Sequence, residues 1–181
     1  MPQYAALLRG IAPSGTNMTN DKLRGVFERL GFADVASVLS SGNIVFRSPD
    51  ADAHLLEQRI EDALADDLGL ANRAIIRSHS ELRVLLDSDP FPGVTHGHDT
   101  YVTATFLKDA ATTPEHIPAQ PGLRTEVVRY DGAARVVLAI TDNSDANQTS
   151  GFMAWLERTY GKDITTRSWL TVQRIVKRLE G

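Results

Sequence analysis

The sequence contains no cysteine, no long apolar run and no surplus of basic residues. Without cysteine the chain can form no disulfide, thiolate nucleophile or cysteine-ligated zinc site. No stretch approaches the ~18 consecutive apolar residues of a membrane helix. The opening residues MPQYAALLRG also lack the basic leader and apolar core of a signal peptide. We therefore expect a cytoplasmic protein with no membrane partner.

Net charge and composition further restrict the class of protein that we expect. The 181 residues include 19 lysines and arginines against 23 aspartates and glutamates, a net charge of −4. Proteins dedicated to double-stranded nucleic acid normally carry a basic surplus, so we expect no such partner. Apolar residues make up 42% and charged residues 23%, which is typical of globular proteins.

The first half of the chain alternates between strand and helix patterns. Runs of β-favouring apolar residues predict strands at 4–9, 35–39, 43–47 and 73–78. Apolar residues spaced by three and four predict a helix after the first strand and another after the third. The predicted order is therefore β-α-β-β-α-β, the ferredoxin-like order.

Polar residues indicate where these helices begin. Thr19 or Asn20 can cap the first helix, and Asp50 or Asp52 can cap the second. The 78–81 segment has the Ser-x-x-Glu spacing of a capping box, which predicts a third, short helix that ends before DPFPG. The acidic residues of the second helix are expected to form its solvated face: Glu61, Asp62, Asp66 and Asp67.

The same order recurs in the second half. Strands are predicted at 101–107, 124–130, 134–140 and 163–167, with at most a helical turn at TPEHI, a helix ending at Gly161 and a final helix. Prolines and glycines predict a linker at 90–100, between domains at 1–89 and 101–181. The predicted fold class is α+β, with two tandem ferredoxin-like (βαββαβ) subdomains, each followed by a helix.

This topology brings several polar residues of the first copy to one end of its sheet, which we call the rim. The first strand lies antiparallel to the third, so the end of the first meets the start of the third. The loop RGIAPSGTN closes over the same end. The rim comprises Arg9, Gly10, Ser14, Gly15, Thr16, Asn17, Ser40, Ser41, Gly42 and Asn43. A guanidinium, hydroxyls and a helix N-terminus suit a small anionic or polar ligand, such as a nucleotide.

Three of these residues also have a structural explanation that requires no ligand. Gly42 can supply the positive φ of a tight hairpin, and Asn43 can bond the turn backbone. Arg9 can pair with a carboxylate or cap a helix. The equivalent positions of the second copy are more acidic: Lys108, Asp109, Asp131 and Gly132. We therefore expect any ligand site to lie in the first copy.

The segments YAALLRGI, LRGVFERLGFADV, SSGNIVFRS, DPFPG and TTRSWLTV together resemble the bacterial family known as domain of unknown function 1697. The resemblance runs from the first strand to the last helix. It implies signature positions at Arg9, Gly10, Gly15, Asn17, Ser41, Gly42, Asn43, Thr166, Arg167 and Trp169. The family carries no activity to transfer. Ala12 and Leu170 stand where the family usually has asparagine, so this chain offers a ligand fewer polar groups there.

Two hypotheses concern Arg167, which ends the last predicted strand. The first is that Arg167 completes a bipartite ligand site with Arg9, with Trp169 beside it. The second is that it forms a structural ion pair. His96-Gly97-His98-Asp99 has two histidines and a carboxylate but no evident distant ligand, so we expect a solvated linker, with neither a metal nor a cofactor.

Three functions stay open from the sequence. The first is a binding module for a small anionic or polar ligand, such as a nucleotide or a segment of single-stranded nucleic acid. The second is an enzyme that uses the same rim, with Arg9 as an electrostatic stabiliser. The third is a protein-interaction domain that uses a sheet edge or the final helix. The sequence favours the first, because the rim residues include no evident acid or base.

Overall fold

The computed structural model describes residues 1–108, 117–118, 121–145, 147 and 150–181. Eight strands lie in this part of the chain: β1 (Gln3–Leu8), β2 (Ala33–Ser37), β3 (Asn43–Arg47), β4 (Ala74–Ser78), β5 (Thr100–Leu107), β6 (Thr125–Asp131), β7 (Val136–Asp142) and β8 (Ile164–Ser168). Five helices accompany them: α1 (Asn20–Arg29), α2 (Ala53–Leu68), α3 (His79–Asp87), α4 (Phe152–Tyr160) and α5 (Trp169–Leu179). None of these helices is long and apolar enough to cross a membrane.

The strands form two four-stranded antiparallel sheets, with orders β2-β3-β1-β4 and β6-β7-β5-β8. In each sheet the first strand of the copy lies between its third and fourth strands, which is the ferredoxin-like arrangement. The predicted α+β class with two tandem copies is therefore confirmed. Residues 113–116 of the predicted turn TPEHI, and Asp109, lie outside the described residues.

The chain groups into two compact units. The first contains residues 1–82 together with 174–181, and the second contains residues 83–173. The last turns of α5 thus belong with the first sheet, whereas its beginning belongs with the second. The linker that the sequence indicates at 90–100 stays a prediction.

The core of the first unit lies between its sheet and the helices α1 and α2. Phe32 and Phe46 stack with ring centroids 4.5 Å apart, and Phe27 meets Phe46 edge to face at 5.4 Å. Leu56 and Ile60 of α2 are completely buried in the same cluster. Since aromatic and branched side chains bury much apolar surface, this cluster fixes the sheet against both helices.

The helices begin at capping residues that the sequence could identify. The side chain of Thr19 caps α1, and the carboxylate of Asp52 accepts hydrogen bonds from two backbone N–H groups at the start of α2. Ser78 and Glu81 form the predicted capping box: the Ser78 N–H donates to Glu81 Oε2 at 2.7 Å, and the Glu81 N–H donates to Ser78 Oγ at 3.2 Å.

Three glutamates accept hydrogen bonds from the outer edge of β4, the last strand of the first sheet. The Ala74 N–H donates to Glu61 Oε1 at 2.9 Å, and the Ile76 N–H donates to Glu57 Oε1 at 3.0 Å. Glu81 Oε2 accepts a hydrogen bond from the Ser78 N–H on the same edge of β4. The prediction that Glu61 belongs to a solvated helix face was wrong, because its carboxylate is half-buried against this strand. An edge strand needs such protection, since unpaired N–H groups invite pairing with another chain.

We predict that Glu57→Ala destabilises the protein by about 1–3 kcal/mol, because it leaves the buried Ile76 N–H without this acceptor. Glu57→Gln keeps an acceptor oxygen and should lose less. Urea denaturation measures the loss, and amide hydrogen exchange at Ile76 reports the bond itself. The exposed neighbour provides a control: Gln58→Ala should stay within about 0.5 kcal/mol of the original chain. Unchanged protection of the Ile76 amide in Glu57→Ala would contradict the assignment.

Candidate functional site

Strand pairing brings the two halves of the rim together at one end of the first sheet. Leu7 is paired with Asn43, and the Leu8 N–H donates to the Gly42 carbonyl at 2.8 Å. Arg9 follows directly, and its N–H donates to the Arg73 carbonyl at 2.8 Å on the other side. The backbone of Arg9 is therefore fixed between the starts of β3 and β4.

The side chain of Asn43 holds the turn between β2 and β3. It is buried, and its Nδ2 donates to the Val38 carbonyl at 3.0 Å and to Ser41 Oγ at 3.1 Å. This amide therefore has the structural role that the sequence left open. Its bond also orients the Ser41 hydroxyl, which belongs to an exposed residue.

Both the backbone conformation and the lack of room for a Cβ atom require glycine at position 42. Its φ is +78°, in the left-handed region that favours glycine. A Cβ at this position would lie 2.7 Å from Ile11 Cγ1 and 3.0 Å from Leu8 Cβ. The hairpin turn is thus in close contact with the beginning of the loop that leaves β1.

Leu39 occupies the left-handed region beside this turn, with φ of +61°. The residue is 43% exposed and is not part of the hydrophobic core. Asn20 Nδ2 donates to the Leu39 carbonyl at 2.9 Å and helps hold it. A branched residue rarely adopts this region, and such outliers concentrate at functional sites. Sequence reasoning missed Leu39, because no residue pattern signals a positive φ at leucine.

The loop from residue 9 to residue 17 is fixed at both ends. Gly10 and Asn17 adopt positive φ values of 73° and 62°. Asn72 Nδ2 donates to the Arg9 carbonyl at 2.6 Å, and Asn17 Nδ2 donates to the Leu68 carbonyl at 3.1 Å. The amide of Asn17 thereby caps the last turn of α2 and ties the loop to it.

Gly15 lies inside the same loop at a tight position. A Cβ there would overlap the side chain of Met18, so this position has no room for a larger residue without a shift of that thioether. The Gly15 N–H donates to the Ala12 carbonyl at 2.9 Å, and the Met18 N–H donates to the Gly15 carbonyl at 3.2 Å. Two successive turns therefore shape the loop and leave Ser14 and Thr16 exposed.

The rim presents hydroxyls beside a cation. Arg9 is half-buried, and the hydroxyl-bearing residues at this end of the sheet are exposed: Ser14, Thr16, Ser40 and Ser41. Hydroxyls and a guanidinium can bind a phosphate or carboxylate by hydrogen bonds. None of the rim residues carries an imidazole or a carboxyl group, so the set suits binding better than proton transfer.

Arg167 and Trp169 lie in the second unit, and their local contacts are structural. Trp169 meets Phe91 edge to face, with ring centroids 5.2 Å apart. Arg167 Nη1 donates to Thr165 Oγ1 at 2.7 Å and to the Thr166 carbonyl at 3.0 Å. Burial lowers the pKa of Arg167 to about 10, so the guanidinium stays charged at neutral pH. The bipartite site with Arg9 stays a prediction.

Sequence reasoning also missed a second buried arginine, Arg77 of β4. Its side chain has no exposed surface, and its Nη1 donates to the Ile76 carbonyl at 2.7 Å. Arg77 and Arg167 occupy the same position of their copies, directly before a serine that caps the next helix. The repeated Arg-Ser dipeptide was the signal that could have identified this pair.

The histidines of the HGHD segment have local partners. The Val102 N–H donates to His96 Nδ1 at 3.1 Å, and the His96 ring stacks on Tyr101. His98 Nδ1 lies 2.7 Å from Asp99 Oδ1, and both side chains are largely exposed. Among the residues that the structure describes, no group of three or more histidines and acids is placed to hold a metal ion.

We predict that Gly42→Ala destabilises the protein more than Gly31→Ala does. Both glycines have positive φ, which costs alanine about 1–2 kcal/mol, but a Cβ at Gly31 meets no atom within 4 Å. The overlap with Ile11 should add about 1–3 kcal/mol at Gly42. Urea denaturation of the two variants gives the comparison. Equal losses would show that the turn and the loop are not in contact.

We predict that Arg167→Glu destabilises the protein by about 3–5 kcal/mol, because reversing a buried charge leaves it without its hydrogen bonds. Arg158→Glu is the control, since Arg158 is exposed in the last turn of α4 and should lose less than about 1 kcal/mol. Thermal unfolding of both variants decides the matter. If Arg167→Glu unfolds at the original temperature, the side chain has no structural role.

Comparison with known proteins gives the chain a family and supports its fold. The structure of "conserved bacterial protein SP0830 from Streptococcus pneumoniae" is similar to this one with a TM-score of 0.74. The similarity covers 100% of this chain and 99% of that chain at 19% sequence identity, which supports the fold alone. No curated protein matches the sequence.

A family profile extends over both the rim and the greater part of the chain. It matches residues 1–135, which include every rim residue and end before the TTR-x-W segment. The description of that family is "Protein of unknown function (DUF1697)". The match covers well over half of the chain, and so the chain belongs to the DUF1697 family.

Proposed function

We propose that the protein is a cytoplasmic binding module that holds a small anionic or polar ligand, such as a nucleotide, at the rim of the first sheet. The observation that carries the proposal is the conformation of the exposed Leu39, held at φ of +61° directly before the exposed serines Ser40 and Ser41. A conformation that costs about 1–2 kcal/mol persists where the surroundings enforce it.

The surrounding amides support this proposal. Asn43 orients the hydroxyl of Ser41, and Asn20 holds the Leu39 carbonyl. Asn17 fixes the opposite loop. The side chains of these residues position the rim rather than reach a ligand, so the contacts with a ligand would come from hydroxyls, backbone N–H groups and Arg9. Such prior ordering reduces the entropy lost on binding.

The two other functions have less support from the first unit. An enzyme needs a positioned acid or base, and the rim residues carry none. An interaction domain that extends a sheet needs open N–H groups along an edge strand. At β4, one of the two edges of the first sheet, Glu57, Glu61 and Glu81 already accept hydrogen bonds from these groups. A ligand-binding module therefore accounts best for the arrangement.

Thermal unfolding with AMP and with inorganic phosphate tests the proposal. A ligand at 100 times its Kd stabilises the folded state by about 2.7 kcal/mol, which raises Tm by roughly 5–10 °C in a chain of this size. The double variant Ser40→Ala/Ser41→Ala should lose most of this increase. Its own Tm should fall only slightly, because Asn43 loses its bond to Ser41 but keeps its bond to the Val38 carbonyl.

Thr95→Ala is the matched control, since it removes an exposed hydroxyl in the second unit and should respond to AMP as the original chain does. An increase that survives the double serine variant would place the ligand elsewhere. No increase in Tm with either compound at millimolar concentration would remove the support for an anion site at the rim.

A further inference from the structure

A cavity of about 670 Å³ lies at the other end of the first sheet from the rim. Gln3 and Arg47, which are paired at the start of β1 and the end of β3, line it. The pair is four residues along the strands from the Leu7–Asn43 pair, a distance of about 13 Å. The volume falls within the range of small-molecule sites. The cavity is therefore separate from the rim.

The backbone around this cavity is well fixed. Gln3 Nε2 donates to the Leu179 carbonyl at 2.7 Å, which ties the end of α5 to β1 within the first unit. On the other side, the pairing of β2 with β3 is irregular between Ala33 and Ala36, and Asp34 adopts φ of +51°. This bulge places Asp34 beside Arg47 at the cavity wall. Bulges commonly redirect a side chain in this way.

Two buried nitrogen atoms of the lining residues have no hydrogen-bond acceptor within the described part of the chain. They are Arg47 Nε and His79 Nε2. Arg47 Nε lies 3.0 Å from Asp34 Oδ2, but without hydrogen-bond alignment, and His79 Nε2 lies 3.6 Å from Glu180 Oε1. Buried polar atoms normally have partners. Arg47 Nε always carries a proton, and His79 Nε2 donates in the tautomer that is protonated there, so together they point to a missing acceptor.

The charges around the cavity narrow the class of ligand. Arg178 adds a second guanidinium to the lining, whereas Asp34 and Glu180 supply carboxylates. The Asp34–Arg47 ion pair is largely exposed, with side chains 70% and 43% accessible, and exposed pairs are weak enough for a ligand anion to replace. The two acids would repel a molecule that carries several negative charges.

We propose that this cavity is a second ligand site, which binds a small molecule through a single carboxylate or phosphate group. Arg47 Nε and His79 Nε2 donate to the anion, and Arg178 contributes charge at the opening. The proposal is independent of the rim, because the two sites share no residue.

Solution NMR of the full chain tests this assignment with two probes, acetate and inorganic phosphate, which separate carboxylate from phosphate recognition. We expect at least one probe to cause saturable shifts at the Arg47 Nε–H and His79 imidazole signals. Arg47→Gln should weaken this binding at least about tenfold, since it removes a charge-assisted hydrogen bond. Arg178→Gln, at an exposed residue, should also weaken it. Arg83→Gln is the control, because Arg83 is exposed and pairs with Asp87 in the second unit.

Several results would overturn the proposal. They are shifts that grow linearly with both probes, an equal loss of binding in Arg83→Gln, and shifts confined to the amides of Ser40 and Ser41. The last result would assign the anion to the rim instead. A well-dispersed spectrum of Arg47→Gln establishes that the variant is folded and that its loss of binding is specific. If the spectrum shows that Arg47→Gln is unfolded, the binding of the probes to Arg178→Gln tests the proposal instead.

Discussion

The hydrogen bonding of β1 on both of its sides is the constraint on which the rest of the first unit depends. β1 pairs with β3 along one edge and with β4 along the other, and five of its six residues are buried. Because β1 is central, the loop that leaves it must pass over the start of β3. The rim follows from this pairing at one end of the strand. The cavity beside Arg47 follows from it at the other end, where Gln3 also holds α5.

Much of this arrangement could be predicted from the sequence, because it depends on local patterns. Strand and helix periods gave the element order, and Ser78 with Glu81 has a spacing that only a capping box explains well. What could not be predicted depends on neighbours distant in the chain. The helical pattern alone indicates that Glu61 is solvated, whereas in the structure its carboxylate accepts a hydrogen bond from β4. The φ of Leu39 and the cavity lining likewise arise from packing between separate elements, on which residue periodicity carries no information.

The two copies show how little sequence the fold requires. Their strand orders are identical, yet the clearest shared feature is an arginine followed by a capping serine, at Arg77 and again at Arg167. The similarity to the pneumococcal protein at 19% identity shows the same tolerance across the whole chain. Function must therefore be sought in the residues that the fold does not demand. In the first unit these are the hydroxyls of the rim and the charged residues of the cavity, whereas Gly42 and Asn43 are explained by the turn itself.

The glutamates along β4 have a consequence for the behaviour of the protein at high concentration. A sheet whose outermost strand has open N–H groups can grow by adding a strand from a neighbouring molecule, and repeated addition leads to insoluble assemblies. Glu57, Glu61 and Glu81 occupy alternate N–H groups on that side of the first sheet and bring negative charge to it. The helices α2 and α3 thus protect the protein against self-association through β4, a property that selection can preserve independently of any ligand.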